Sequence, residues 1–196
     1  MRAIAISRPL VGHLIPAEGS ARSLALAGFV ILGSLILWAS AKISVPFWPV
    51  PMTLQTGAVA LLAAAYGWRL GVATVVLYLL EGAVGIPVFE GTPAKGIGLA
   101  YMVGTTGGYL IGFAVAAAVI GWLVEQGFDR HPVKLFGAMV LGDAFVFALG
   151  VLWLGTVIGW DKPVLNYGLY PFILGDLVKL ALAAALISAG ARLVRR

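Results

Sequence analysis

Cysteine is absent from this 196-residue chain, and histidine occurs only twice, at His13 and His131. The first absence removes disulfides, thiolate nucleophiles, cysteine-ligated metals and iron–sulfur clusters together. Both histidines lie in polar connecting segments, so a histidine metal centre is not expected. No Gly-x-x-x-x-Gly-Lys-Ser/Thr loop occurs, and any ATP-driven work would therefore belong to a partner. Charge is scarce too: 11% of residues are charged and 61% hydrophobic, with a mean hydropathy of +1.03. Soluble domains carry about 25% charged residues. There is too little polar surface here to cover a water-soluble globule. Residues 1–19 carry Arg2 and Arg8, but Pro9, His13 and Pro16 interrupt any apolar core of a cleaved signal peptide. They read as a short cytoplasmic tail.

What the chain has in abundance is long apolar runs. Six can be drawn, at about 21–41, 53–66, 70–85, 104–124, 134–157 and 168–191. The expected fold is all-α: an integral membrane bundle of six transmembrane helices over residues 20–196. The second and third runs fall short of the roughly 20 residues that a span needs. They are expected to be extended by flanking residues, or one is a partial helix shielded by protein. Basic residues set the orientation. With six spans, Arg2, Arg8, Arg22, Arg69, Arg130, Lys134, Arg192, Arg195 and Arg196 share one side, against Lys42, Lys95 and Lys162 on the other. Both termini are then cytoplasmic in the cell membrane. The net charge of +5 reports this topology, not nucleic-acid binding.

Two connections on the outer side are unusual. Val45-Pro46-Phe47-Trp48-Pro49-Val50-Pro51 cannot be helical, and the segment from Ile86 to Gly98 is equally interrupted by proline and glycine. Both are apolar and aromatic. Irregular backbone at membrane depth survives where it is buried in protein or lines a cavity. The two are read as lid loops over an outward-facing pocket, with Phe47, Trp48 and Phe89 covering the apolar part of a ligand. Small residues recur at four-residue spacing at Gly104, Gly108, Gly112 and Ala116, at Ala181, Ala185 and Ala189, and at Ala21 and Ala25. Such stripes let helices approach closely. Most would serve the bundle itself, and one could dock a separate membrane subunit.

Ionisable residues deep in the spans are few: Asp143, Asp176 and Lys179. A charge at the bilayer centre costs about 2.5–3.5 kcal/mol, so such groups tend to be paired and functional. Asp176 and Lys179 are three residues apart, on one helix face. A buried ion pair rarely stabilises more than two apolar residues would. A ligand with its own donors and acceptors is a better reason to keep both. Thr53 can cap the helix that follows the proline-rich loop, and Gln55 offers a donor and an acceptor at the pocket mouth. An acid–base enzyme built on Asp143, Asp176 and Lys179 would lack a nucleophile–base pair and a cofactor loop, so no catalytic residue or cofactor is assigned.

Four segments carry a family resemblance: Pro51-Met52-Thr53-Leu54-Gln55-Thr56-Gly57, Gly85-Ile86-Pro87-Val88-Phe89, Thr105-Thr106-Gly107-Gly108-Tyr109-Leu110-Ile111-Gly112-Phe113 and Gly175-Asp176-Leu177-Val178-Lys179. In this order the chain resembles the BioY family, the biotin-specific substrate-binding S components of energy-coupling-factor transporters. The resemblance covers about residues 20–190. It implies the S-component fold, biotin as ligand near the outer face, and no catalysis. It also implies a transmembrane coupling protein and ABC-type ATPases as partners, with Ala21 and Ala25 facing the coupling protein. The ligand residues then expected are Asp176, Lys179, Gln55, Thr53, Phe89, Glu90, Tyr109, Asp143 and Trp48. Asp176 would accept from the ureido N–H groups. Lys179 would hold that carboxylate ionised and donate to the ligand, with direct binding of the valerate carboxylate as the less favoured alternative. Another vitamin-specific S component or a secondary carrier is the alternative. The chain departs from the family pattern at Glu90–Gly96, which is less glycine-rich, and at Val103-Gly104-Thr105-Thr106, where a Gly-Pro-Thr step is common.

Overall fold

The computed structural model describes residues 9–194. Arg2, Arg8, Arg195 and Arg196, counted above for orientation, lie outside that range. Seven helices follow in order: α1 (Gly19–Lys42), α2 (Gln55–Ala83), the short α3 (Leu99–Met102), α4 (Gly107–Glu125), α5 (Pro132–Ile158), the short α6 (Val164–Gly168) and α7 (Tyr170–Val194). Two two-residue strands, β1 (Ser44–Val45) and β2 (Met52–Thr53), pair antiparallel in the register Ser44 with Thr53 and Val45 with Met52. The proline-rich segment is thus the tip of a small hairpin.

Among the described residues, five helical stretches are long and apolar enough to cross a membrane, and α2 is one of them. It is nevertheless two spans. Gly67 interrupts it with φ 78° and ψ 176°, a backbone state open to glycine because it lacks a Cβ. Gln55 Nε2 donates to the Tyr78 hydroxyl at 2.8 Å. Twenty-three residues of straight helix would separate those groups by about 35 Å. The element must therefore fold back at Gly67 into two antiparallel arms, 55–66 and 68–83. These are about 18 Å and 24 Å long, shorter than the roughly 30 Å hydrocarbon core. That matches the two short runs in the sequence. Their shielding comes from position, because α2 packs against α1, α4 and α7. The Glu125 carboxylate accepts from the Trp68 backbone N–H at 3.2 Å, serving a donor freed where the second arm begins.

The bundle is built outside in. Its core holds Leu37, Val59, Tyr78, Ile120, Leu135, Met139, Leu154 and Leu180, while Leu24, Ile31, Leu35, Leu152, Leu174, Leu182 and Leu186 are exposed. Exposed leucines are what lipid tails require. The glycine stripe on α4 serves packing within the bundle: a Cβ at Gly112 would stand 2.7 Å from Val146 Cα, and one at Gly108 would stand 2.4 Å from the Leu149 carbonyl oxygen. Gly104 lies before the helix, so it does not belong to that stripe. Its carbonyl accepts from Trp153 Nε1 at 2.9 Å. Ala181, Ala185 and Ala189 face away from the bundle, as does Ala21, while Ala25 is half-buried. Part of the expected tail is docked: residues Leu10–His13 form a 3-10 turn whose Val11 is buried and whose Leu10 packs on the core.

Candidate functional site

The start of α2 and the middle of α7 meet beneath the hairpin. Thr53 Oγ1 accepts from the Gln55 backbone N–H at 3.2 Å and donates to Gln55 Oε1 at 3.3 Å, which starts the helix and orients the amide. Thr56, one residue further, reaches α7: its hydroxyl donates to Asp176 Oδ1 at 3.1 Å and accepts from Lys179 Nζ at 2.8 Å. Lys179 also donates to the Thr53 carbonyl at 2.8 Å and forms an ion pair with Asp176. The pair is well removed from water, with side-chain exposures of 12% and 3%. The ammonium's three donors are thus matched by three acceptors. Asp176 retains lone pairs beyond those used by Lys179 and Thr56.

These polar groups close one end of a cavity of about 60 Å³. Tyr101, Tyr109, Phe113, Phe147 and Phe172 form its aromatic side. Tyr109 is held by a hydrogen bond to the Gly168 carbonyl at 2.7 Å. Tyr101 stacks on Phe89 at 4.9 Å between centroids, and Phe89 meets Tyr78 edge-on at 5.4 Å. Burial pushes the Tyr101 hydroxyl up to about 12, so it stays a neutral donor at ordinary pH. Phe89 can lie this close to α2 because residue 82 is glycine; a Cβ there would stand 2.0 Å from the ring.

The segment after Phe89 is clamped to the end of α1. Lys42 Nζ donates to the carbonyls of Pro87 and Phe89 at 2.8 and 2.7 Å and to the Thr92 hydroxyl at 3.0 Å. Glu90 lines the cavity, pairs with Lys95 at 2.7 Å, and accepts from the Ser44 hydroxyl at 3.3 Å. Both irregular loops therefore converge here. The hairpin loop is tied in turn to the start of α4, where Thr105 donates to the Pro49 carbonyl at 3.1 Å.

Of the residues expected from sequence, Asp176, Lys179, Gln55, Thr53, Glu90 and Tyr109 line this cavity. Three do not. Phe89 is 1% exposed and stands behind Tyr101 as a second layer of wall. Trp48 is 79% exposed and rests edge-on against Tyr167, outside the cavity. Asp143 lies in a separate crevice between α5 and α7. Gln55 spends its amide on Thr53 and Tyr78, and Tyr78 passes the chain on to the Val88 carbonyl at 3.2 Å. It joins both α2 arms to the second loop. Sequence reasoning missed Thr56, Tyr101, Phe113, Phe147 and Phe172. Thr56 stood in the quoted Thr-Leu-Gln-Thr run. The aromatic residues carried no local signal, because apolar helices are full of such side chains.

The chain matches the sequence model of the BioY family over residues 15–196. It is 37% identical over 158 residues to a probable biotin transporter BioY of Pyrococcus horikoshii, covering 81% of this chain and 88% of that protein. It is 40% identical over 163 residues to a biotin transporter BioY of Thermotoga maritima, covering 83% and 92%. Its fold is similar to the crystal structure of the S component for biotin from an ECF-type ABC transporter. That match has a TM-score of 0.76 and 22% identity and covers 92% of this chain and 96% of the other.

Proposed function

Because the chain belongs to the BioY family, we propose that this multi-pass membrane protein captures biotin for uptake, as the substrate-binding component of an ECF-type transporter. One observation carries the reading: a buried Asp176–Lys179 pair, held by Thr53 and Thr56, faces an aromatic cavity beneath two irregular loops. Biotin has complementary ends. Its ureido group carries N–H donors and a carbonyl acceptor, and its thioether ring and alkyl chain are apolar. Asp176 accepts the ureido N–H bonds, and Lys179 keeps that carboxylate charged and oriented. Tyr109, Phe113 and Phe172 cover the ring. Glu90 closes the polar rim, and Phe89 supports the wall through Tyr101. In this reading the ligand is carried and leaves unchanged.

Both termini are cytoplasmic in this reading, and the loop end faces outward. Ala21 and Ala25 lie on a half of α1 that the rest of the chain leaves largely uncovered. A transmembrane coupling protein sits there, and it links the component to ABC-type ATPases. The test is calorimetric binding of biotin to the purified protein, with recovery of the ligand afterwards. Tight, stoichiometric binding and intact biotin are expected. Chemical conversion of the ligand, or tight binding of another vitamin with none of biotin, would overturn the proposal.

A further inference from the structure

We propose that the apolar crevice between α5 and α7 is a second pocket for the ligand's tail. Phe147 is the side chain that turns aside to admit the tail, and Asp143 is the acceptor for an N–H donor that the tail carries. The inference rests on the biotin reading above and extends it to a class of ligand: biotin conjugates whose acid has become an amide. Three observations converge on it.

The first is size. The cavity of about 60 Å³ holds roughly four to six waters at about 10–15 Å³ each. A fused bicycle with a five-carbon acid is larger than that, so the cavity must widen when it is filled. The second is where it can widen. Phe147 lines the cavity on one side and, on the other, a crevice of about 610 Å³. Its ring is half-buried and stands 6.2 Å from Phe172 and 6.4 Å from Tyr109, centroid to centroid. Every other aromatic wall residue of the cavity is buried to 8% exposure or less. The one side chain that separates the two spaces is therefore the one least hemmed in. The crevice beyond it is walled by Ala144, Ala148, Ile173 and Leu177, which suit an alkyl chain.

The third observation is Asp143, on the crevice wall one helical turn before Phe147. Among the described residues it makes no hydrogen bond and no ion pair, although Asp176 and Lys179 lie within electrostatic range of it and it sits deep in a spanning helix. An amide N–H or an ammonium on a bound tail would supply the missing partner. The crevice thus offers an acceptor to an amide or amine-terminated tail.

The test uses the full-length protein in nanodiscs and competition against labelled biotin. The probes are biotin n-alkyl amides from methyl to hexyl, and one amide of equal length ending in an ammonium. Because all have lost the acid, they are compared with one another. Affinity is expected to rise along the series by up to about four-fold per methylene. The ammonium-terminated amide should bind more tightly than its alkyl counterpart. Phe147→Leu should steepen the series. Ala148→Phe should flatten it, and because Ala148 is exposed on the crevice wall the larger side chain enters without repacking the core. Asp143→Asn should remove the preference for the ammonium. A slope that survives Ala148→Phe would mean partition into lipid and would overturn the proposal. So would a flat series in the wild type while biotin itself still binds. Failure of biotin to bind the wild type would overturn the functional reading as well, and so separates the two.

Discussion

Removing the Lys179 ammonium tests why an ion pair is kept in the middle of a membrane helix. Lys179→Met keeps the stem and deletes the charge. Three acceptors lose their donor at once: the Asp176 carboxylate, the Thr53 carbonyl and the Thr56 hydroxyl. With both side chains largely shielded from water, solvent screening discounts little. Breaking a buried pair from one side costs about 3–5 kcal/mol. For a chain of this size that lowers Tm by about 6–20 °C. Asp176→Leu alone should cost as much, because it strands the ammonium. The double variant Asp176→Leu with Lys179→Met replaces the pair by apolar groups and should restore Tm to within a few degrees of wild type. Binding should follow a different pattern. Each single variant should weaken biotin by about thirty-fold to several thousand-fold, and the double variant should not recover it. The assay is thermal unfolding in detergent beside calorimetry with biotin. Stability restored without binding would show that the pair is kept for the ligand. Wild-type affinity in either single variant would refute the reasoning, as would a double variant no more stable than the singles.

Lys42→Met should free the loop after Phe89, raising hydrogen exchange over 86–98 and speeding biotin release by about tenfold or more, from the loss of charged hydrogen bonds; unchanged exchange would count against the clamp. Ala21→Phe and Ala25→Phe should abolish energised uptake while biotin binding persists, and loss of binding in the folded protein would place that stripe in the bundle's own packing. The raised Tyr101 hydroxyl means its burial supports the fold fully below about pH 10 and less as pH rises through about 12. Tyr101→Phe should therefore remove one phenolate step near pH 12 from the absorbance titration, and a titration unchanged by the substitution would contradict the burial argument. Lys95→Cys should react with an impermeant thiol reagent from outside intact cells, and labelling only from the cytoplasm would reverse the topology.

The packing of α2 has a consequence for the mechanism. Its two arms are joined at Gly67 and again, near the other end, through Gln55 and Tyr78. The second contact continues to the Val88 carbonyl, and Lys42 holds the same loop from α1. Glu90 of the second loop accepts from Ser44 at the base of the hairpin, so the two loop regions are also linked directly at the cavity.

Hydropathy, proline placement and charge spacing were enough to read a membrane bundle, two non-helical loops and the Asp176–Lys179 pair. Each of these is local: a run of apolar residues, a missing N–H, or two charges three residues apart. The Gly67 fold-back was legible only as two runs too short to span, because one glycine does not announce a reversal. Tertiary structure decided the rest. Asp143 and Asp176 look alike in sequence, both acidic and deep in a helix, yet they line different spaces on the two sides of Phe147. Trp48 and Phe89 look alike as loop aromatics, yet one is exposed and the other is a second wall behind Tyr101. The aromatic side of the cavity comes from α3, α4, α5 and α7, and nothing in any one helix distinguishes those rings from lipid-facing ones. In a bilayer both the core and the surface are apolar, so composition cannot tell inside from outside, and only the packing of the helices assigns each side chain to cavity, core or lipid.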